Sequence, residues 1–91
     1  MRFEIYGRQN CGKCSSTKDK LDHVLGKLGQ AAEIVFVDLD TVVGRAEGAF
    51  YDVHQVPTTI VRSPRGDEVT RFRGIVPASE AIQGLLAAPP A

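Results

Sequence analysis

Apolar and polar residues alternate over Phe3-Glu4-Ile5-Tyr6, the period of a short strand, and Gly7 to Asn10 carries the glycine and polar residues of a loop. The period then changes. Thr17, Leu21, Val24, Leu25 and Leu28 recur at the i, i+4, i+7, i+8, i+11 spacing of one helix face. This predicts a helix that begins near Cys11, takes Asn10 as its N-cap and stops at Gly29. Glu33-Ile34-Val35-Phe36-Val37 is a nearly continuous apolar run, which predicts a strand buried on both faces. The short connections argue that it runs parallel to the first strand in a βαβ unit.

Asp38-Leu39-Asp40-Thr41 offers polar caps for a second helix, with Val42, Ala46, Ala49 and Phe50 on one side of it. Gly44 and Gly48 weaken that helix by about 1 kcal/mol each relative to Ala. The β-branched run Thr58-Thr59-Ile60-Val61-Arg62 reads as a strand, and Ser63-Pro64-Arg65-Gly66 has the Pro and Gly placement of a type I turn. Glu68-Val69-Thr70-Arg71-Phe72 resumes with strict alternation, giving an antiparallel hairpin whose second strand lies at a sheet edge. Pro77 opens a last short helix striped by Ile82, Leu85 and Leu86. The expected organisation is one domain over residues 1–86 and a flexible tail over 87–91.

Composition narrows the class. The chain has 91 residues, 43% of them hydrophobic and 24% charged, with a formal net charge of zero. That suits one globular domain with a modest core and argues against a disordered or nucleic-acid-binding chain. No apolar stretch approaches the roughly 20 residues of a membrane-spanning helix, and no charged-then-apolar signal precedes the first strand. The expectation is a cytoplasmic monomer with no membrane or nucleic-acid partner.

Chemistry concentrates in Asn10-Cys11-Gly12-Lys13-Cys14, which holds both cysteines of the chain. Two cysteines three apart do not make the multi-bridge framework of a small secreted domain. Cys11 falls at the predicted helix start, where backbone N–H groups without helical partners and the helix dipole stabilise a thiolate and lower the thiol pKa. Cys14, one turn on, is within reach for a disulfide. Three uses fit the pair: a working dithiol, half of a zinc site, or a structural cystine. Zinc needs two more ligands, and His23 and His54 lack the spacing of a zinc finger, so no metal and no cofactor are expected. Lys13, between the cysteines, is a candidate charge beside the Cys11 sulfur. Pro57, before a β-branched strand and after an extended residue, marks a strand start or a cis turn.

The order βαβαββα with Cys-x-x-Cys opening the first helix resembles the thioredoxin and glutaredoxin superfamily over nearly the whole chain. Tyr6-Gly7-Arg8-Gln9-Asn10-Cys11-Gly12-Lys13-Cys14 is similar to the start of small glutaredoxins and glutaredoxin-like redoxins, and Phe50 to Thr59 is similar to the thioredoxin stretch that ends in a cis-proline. The resemblance implies an α/β thioredoxin-like fold, a four-stranded mixed sheet with helices on both faces. It also implies a cis Val56-Pro57 bond beside the cysteines. Val56 and Thr58 would present backbone to a substrate, Gly74 would leave room for that substrate's main chain, and Arg8 stands where glutaredoxins hold a glutathione carboxylate. Three positions depart from the family pattern. The chain has no tryptophan, it has Ile5 where thioredoxins carry a buried acid, and Gly74-Ile75-Val76-Pro77 lacks the acid by which glutaredoxins bind the glutathione amine.

The function expected from these residues is a thiol:disulfide oxidoreductase. Cys11 attacks a substrate disulfide, Cys14 resolves the mixed disulfide, and protein disulfides are the substrates. A thiol reductase or glutathione returns the electrons. The alternatives are a glutathione-dependent glutaredoxin, or a non-catalytic module that keeps the fold and holds a partner in the Pro57 groove.

Overall fold

The computed structural model describes residues 1–29 and 32–87. The elements run β1 (Arg2–Gly7), α1 (Gly12–Leu28), β2 (Glu33–Asp38), α2 (Val42–Phe50), β3 (Thr58–Arg62), β4 (Glu68–Arg73) and α3 (Ser79–Ala87). Ala87 is thus helical, and the rest of the expected tail lies outside the described residues. The four strands form one mixed sheet in the order β2-β1-β3-β4, with β1 parallel to β2 and antiparallel to β3, and β4 antiparallel to β3. This is the expected α/β, thioredoxin-like architecture.

Alternation along β1 assigns the two faces of the sheet. Phe3 and Ile5 point to one side and join Leu21, Val24 and Leu25 of α1, Val61 of β3 and Ile82 of α3 in the main core, with Ile34, Phe36 and Phe72 packed at its margin. Removing each large apolar side chain from water contributes about 1.5–3 kcal/mol, so this layer fixes α1 and α3 to the sheet. Glu4, Tyr6 and, across from Glu4, Ile60 face the opposite side, where α2 lies. No helix among the described residues is long and apolar enough to cross a membrane.

Helix ends follow local chemistry, and two differ from the sequence reading. Cys11, not Asn10, is the N-cap of α1: it has extended φ and ψ, and its own Sγ accepts from the Cys14 N–H. Gly29 closes the helix in the left-handed region at φ 65°, as its sequence position predicts. Pro77 is buried upstream of α3 rather than in its first turn, and the helix bonds begin at the Ala78 carbonyl. Proline lacks the N–H but supplies the stiff entry.

The second helix is turned relative to expectation. Thr41 caps it as predicted, accepting from Gly44 N at 2.9 Å. Its buried side, however, is Gly44 and Gly48, while Val42 and Phe50 are 75% and 77% exposed. A Cβ at Gly44 would run into the Asp38 carbonyl oxygen, and one at Gly48 would come within 2.8 Å of Leu39 Cδ2. The glycines let the helix backbone lie directly on the chain after β2, a gain that apolar periodicity does not report. The strand β2 also differs from its reading. It is an edge strand, and Ile34 to Val37 are half-buried because α2 covers their outer face only in part.

Candidate functional site

The central strand delivers the chain to the site. Gly7 ends β1, its carbonyl accepting from Leu39 N at 2.9 Å, and residues 8–10 turn the chain into α1. At the turn Cys11 and Cys14 are joined in a disulfide, with Cα atoms 5.2 Å apart. Cys11 Sγ accepts from Cys14 N at 3.2 Å, Ser15 N donates to Cys11 O at 3.1 Å, and Thr17 Oγ1 donates to Lys13 O at 2.8 Å. The sulfur at position 11 therefore sits on an N–H of the first helical turn, where negative charge is stabilised. The two sulfurs are not equivalent. Cys11 is half-buried and Cys14 only 3% exposed, so an incoming molecule meets Cys11 first.

Strand pairing brings the proline segment to the same end of the sheet. Tyr6 pairs with Thr58, placing Pro57 next to the Gly7 end of β1. Val56-Pro57 is cis and Pro57 is buried. Its carbonyl accepts from Gly74 N at 2.7 Å, and Thr58 Oγ1 donates to Gln55 O at 2.6 Å. Gly74 has φ 70°, and a Cβ there would lie 3.3 Å from Gln55 Oε1. The conformation and the packing both favour glycine at this position. Val56 remains partly exposed beside them.

The charged candidates lie at the rim. Arg8 is exposed, 3.8 Å from Asp40, and with Gln9, Cys14, Ser15, Lys18 and Phe36 it borders a cavity of about 220 Å³. Lys13 is exposed on the outer side of the first turn. His23 is exposed on α1, roughly 13 Å further along the axis than Cys14. His54 is exposed 4.0 Å from Asp52. Among the described residues no three His, Cys, Asp or Glu side chains converge to hold a metal.

Two features escape the sequence reading. Gly7, read as a loop residue, is buried against the disulfide, and Phe36 stands beside both. A glycine closing a strand just before the cysteine loop is the signal that points to such a close approach. The second feature is a polar cluster on the α2 face. Glu4 is buried, bonded to Arg62 Nε at 2.8 Å and to Arg2 Nε at 3.1 Å, while the Arg62 guanidinium lies 4.6 Å over the Tyr51 ring. Burial, then the charges of Glu4 and Glu47, push the Tyr6 hydroxyl pKa up to about 12, against a smaller opposing effect of Arg62. These groups line a cavity of about 560 Å³ that includes neither cysteine. Ile5, at the position of the thioredoxin acid, is packed in the main core.

No protein-family model and no curated protein matches the sequence. Solved structures do match the fold. A thioredoxin-2 described as a component of malaria parasite protein secretion machinery superposes with a TM-score of 0.76 at 18% identity, over 93% of this chain and 79% of that one. Thioredoxin 1 of Thermosipho africanus gives 0.67 at 22% identity, over 94% and 91% of the two chains. Fasciola hepatica thioredoxin gives 0.69 at 23% identity, over 93% and 76%. At these identities the likeness establishes the thioredoxin fold.

Proposed function

We propose that the protein is a thiol:disulfide oxidoreductase acting on protein disulfides through Cys11 and Cys14. The observation that carries the reading is a disulfide at the strand-to-helix junction whose outer sulfur accepts an N–H of the first helical turn. Stabilised as a thiolate there, Cys11 attacks one sulfur of a substrate disulfide. The other substrate sulfur leaves and takes a proton from solvent. Cys14, deprotonated in turn, attacks Cys11 Sγ, releases the second substrate thiol and leaves the protein oxidised. Val56, Pro57 and Thr58 are assigned to hold the substrate main chain beside the sulfurs, with Gly74 keeping that space open.

A glutathione-dependent variant of this reading is favoured by one observation, that Arg8 borders the same cavity as Cys14 and suits a carboxylate. The test is turnover of a protein disulfide with dithiothreitol, then with glutathione and its reductase as donor. Cys11→Ser is expected to abolish turnover and to trap no substrate, whereas Cys14→Ser accumulates a mixed disulfide on Cys11. Equal trapping by both variants rules out the ordered mechanism, and no turnover by the unmodified protein rules out the enzyme.

A further inference from the structure

Gly7 lies against the inner sulfur. A Cβ built on its backbone meets Cys14 Sγ at 2.6 Å, Cys14 Cβ at 3.1 Å and Phe36 Cε2 at 3.1 Å. Packed atoms do not sit at 2.6 Å, so any side chain at position 7 forces a neighbour to move. Cys14 Cβ belongs to the first turn of α1, which the bonds from Ser15 N and Thr17 Oγ1 hold in place. The sulfur is different, because its freedom depends on its oxidation state. In the disulfide it is tied to Cys11 and cannot leave the space above Gly7. As a thiol it rotates about χ1 between the staggered positions a helix allows. Cys14 also lines a cavity of about 220 Å³, so open space adjoins the residue.

We infer that Gly7 is a positioning residue for the dithiol–disulfide couple, whose missing side chain favours the oxidised form and so sets the reduction potential. The biological use of this device rests on the oxidoreductase reading; the device itself requires only that the Cys11–Cys14 bond opens and closes. In the half-reaction that bond takes up two electrons and two protons to give two thiols. A low-molecular-weight thiol supplies them and is itself oxidised to a disulfide. A methyl group at position 7 crowds the disulfide more than the dithiol, so the variant is the stronger oxidant.

The experiment compares the unmodified protein with Gly7→Ala and, as a control, Gly26→Ala, whose added Cβ meets nothing within 4 Å. Each is equilibrated with glutathione buffers of varied ratio, and each is unfolded in urea in its oxidised and dithiothreitol-reduced forms. Gly7→Ala is expected to shift the equilibrium toward the dithiol by tenfold or more, about 30 mV less negative for a two-electron couple. Its oxidised form should lose more stability than its reduced form, whereas Gly26→Ala should leave the potential unchanged and raise the stability of both forms equally. An unchanged potential, with both forms weakened equally, overturns the proposal. If Gly7→Ala folds in neither form, the reduced sulfur does not escape the added methyl group, and the proposal is overturned. A tenfold shift in a protein that turns over no disulfide refutes the enzyme reading alone.

Discussion

Tyr6 shows how one residue on β1 couples the fold to pH. Its hydroxyl is buried among Glu4, Glu47 and Arg62, and its pKa rises from 10 to about 12 on folding. The folded state therefore holds the phenol proton more tightly than the unfolded chain does. That contribution is complete below pH 10 and is lost as pH rises toward 12. Urea midpoints of the unmodified protein and Tyr6→Phe, measured from pH 8 to 12, should part above pH 10, with the variant falling less. Parallel curves would refute the assignment. At this scale the sequence was legible where chemistry and spacing agree. Cys11, Cys14, Pro57 and Gly74 come to one end of the sheet as the motif and the resemblance implied. Gly7 left only its place at the strand end before the cysteine loop as a signal, and the Glu4–Arg62 pair left none, because a contact between residues 7 and 14 or 4 and 62 depends on tertiary approach and leaves no period in the chain.

Among the elements, α2 is where propensity and packing disagree. Its glycines cost helix stability in isolation, yet Gly44 sits where a Cβ would meet the Asp38 backbone, which cannot move aside as a side chain tip can. Gly44→Ala should lower stability by about 1–3 kcal/mol through overpacking. Gly84→Ala, in α3 with nothing within 4 Å of the added Cβ, should raise it by up to about 1 kcal/mol. Thermal unfolding of the pair checks both signs, and a gain of the same size at both positions would show that helix propensity, not close packing, governs. The periodicity of α1 identified its buried face because that face meets a wide apolar sheet. The short α2 meets the sheet through backbone, so its apolar residues were free to face outward.

At the scale of the whole molecule the two sides of the sheet are unequal. One is sealed by α1 and α3 over Phe3, Ile5 and Val61; the other is half-roofed by α2 above a polar cavity, and Val42, Val43 and Phe50 remain exposed. Local opening follows poor burial, so native-state hydrogen exchange should find the amides of α2 and β2 opening at lower free energy than those of β1 and β3. Exchange of α2 only by global unfolding would contradict this. Fold class and element order were legible at this scale, since they follow from the sequence of periods. How fully each face is covered was not, because coverage depends on helix rotation.

One strand carries more than its length suggests. Phe3 and Ile5 of β1 look into the sealed side, Glu4 and Tyr6 into the cleft, and Gly7 underlies the sulfurs. Slippage of this strand by one position against its neighbours would exchange its two faces, driving a carboxylate and a phenol into the apolar layer and replacing the glycine beneath Cys14 with a bulkier residue. A misassembled copy thus loses its interior and the seat of its disulfide in the same error.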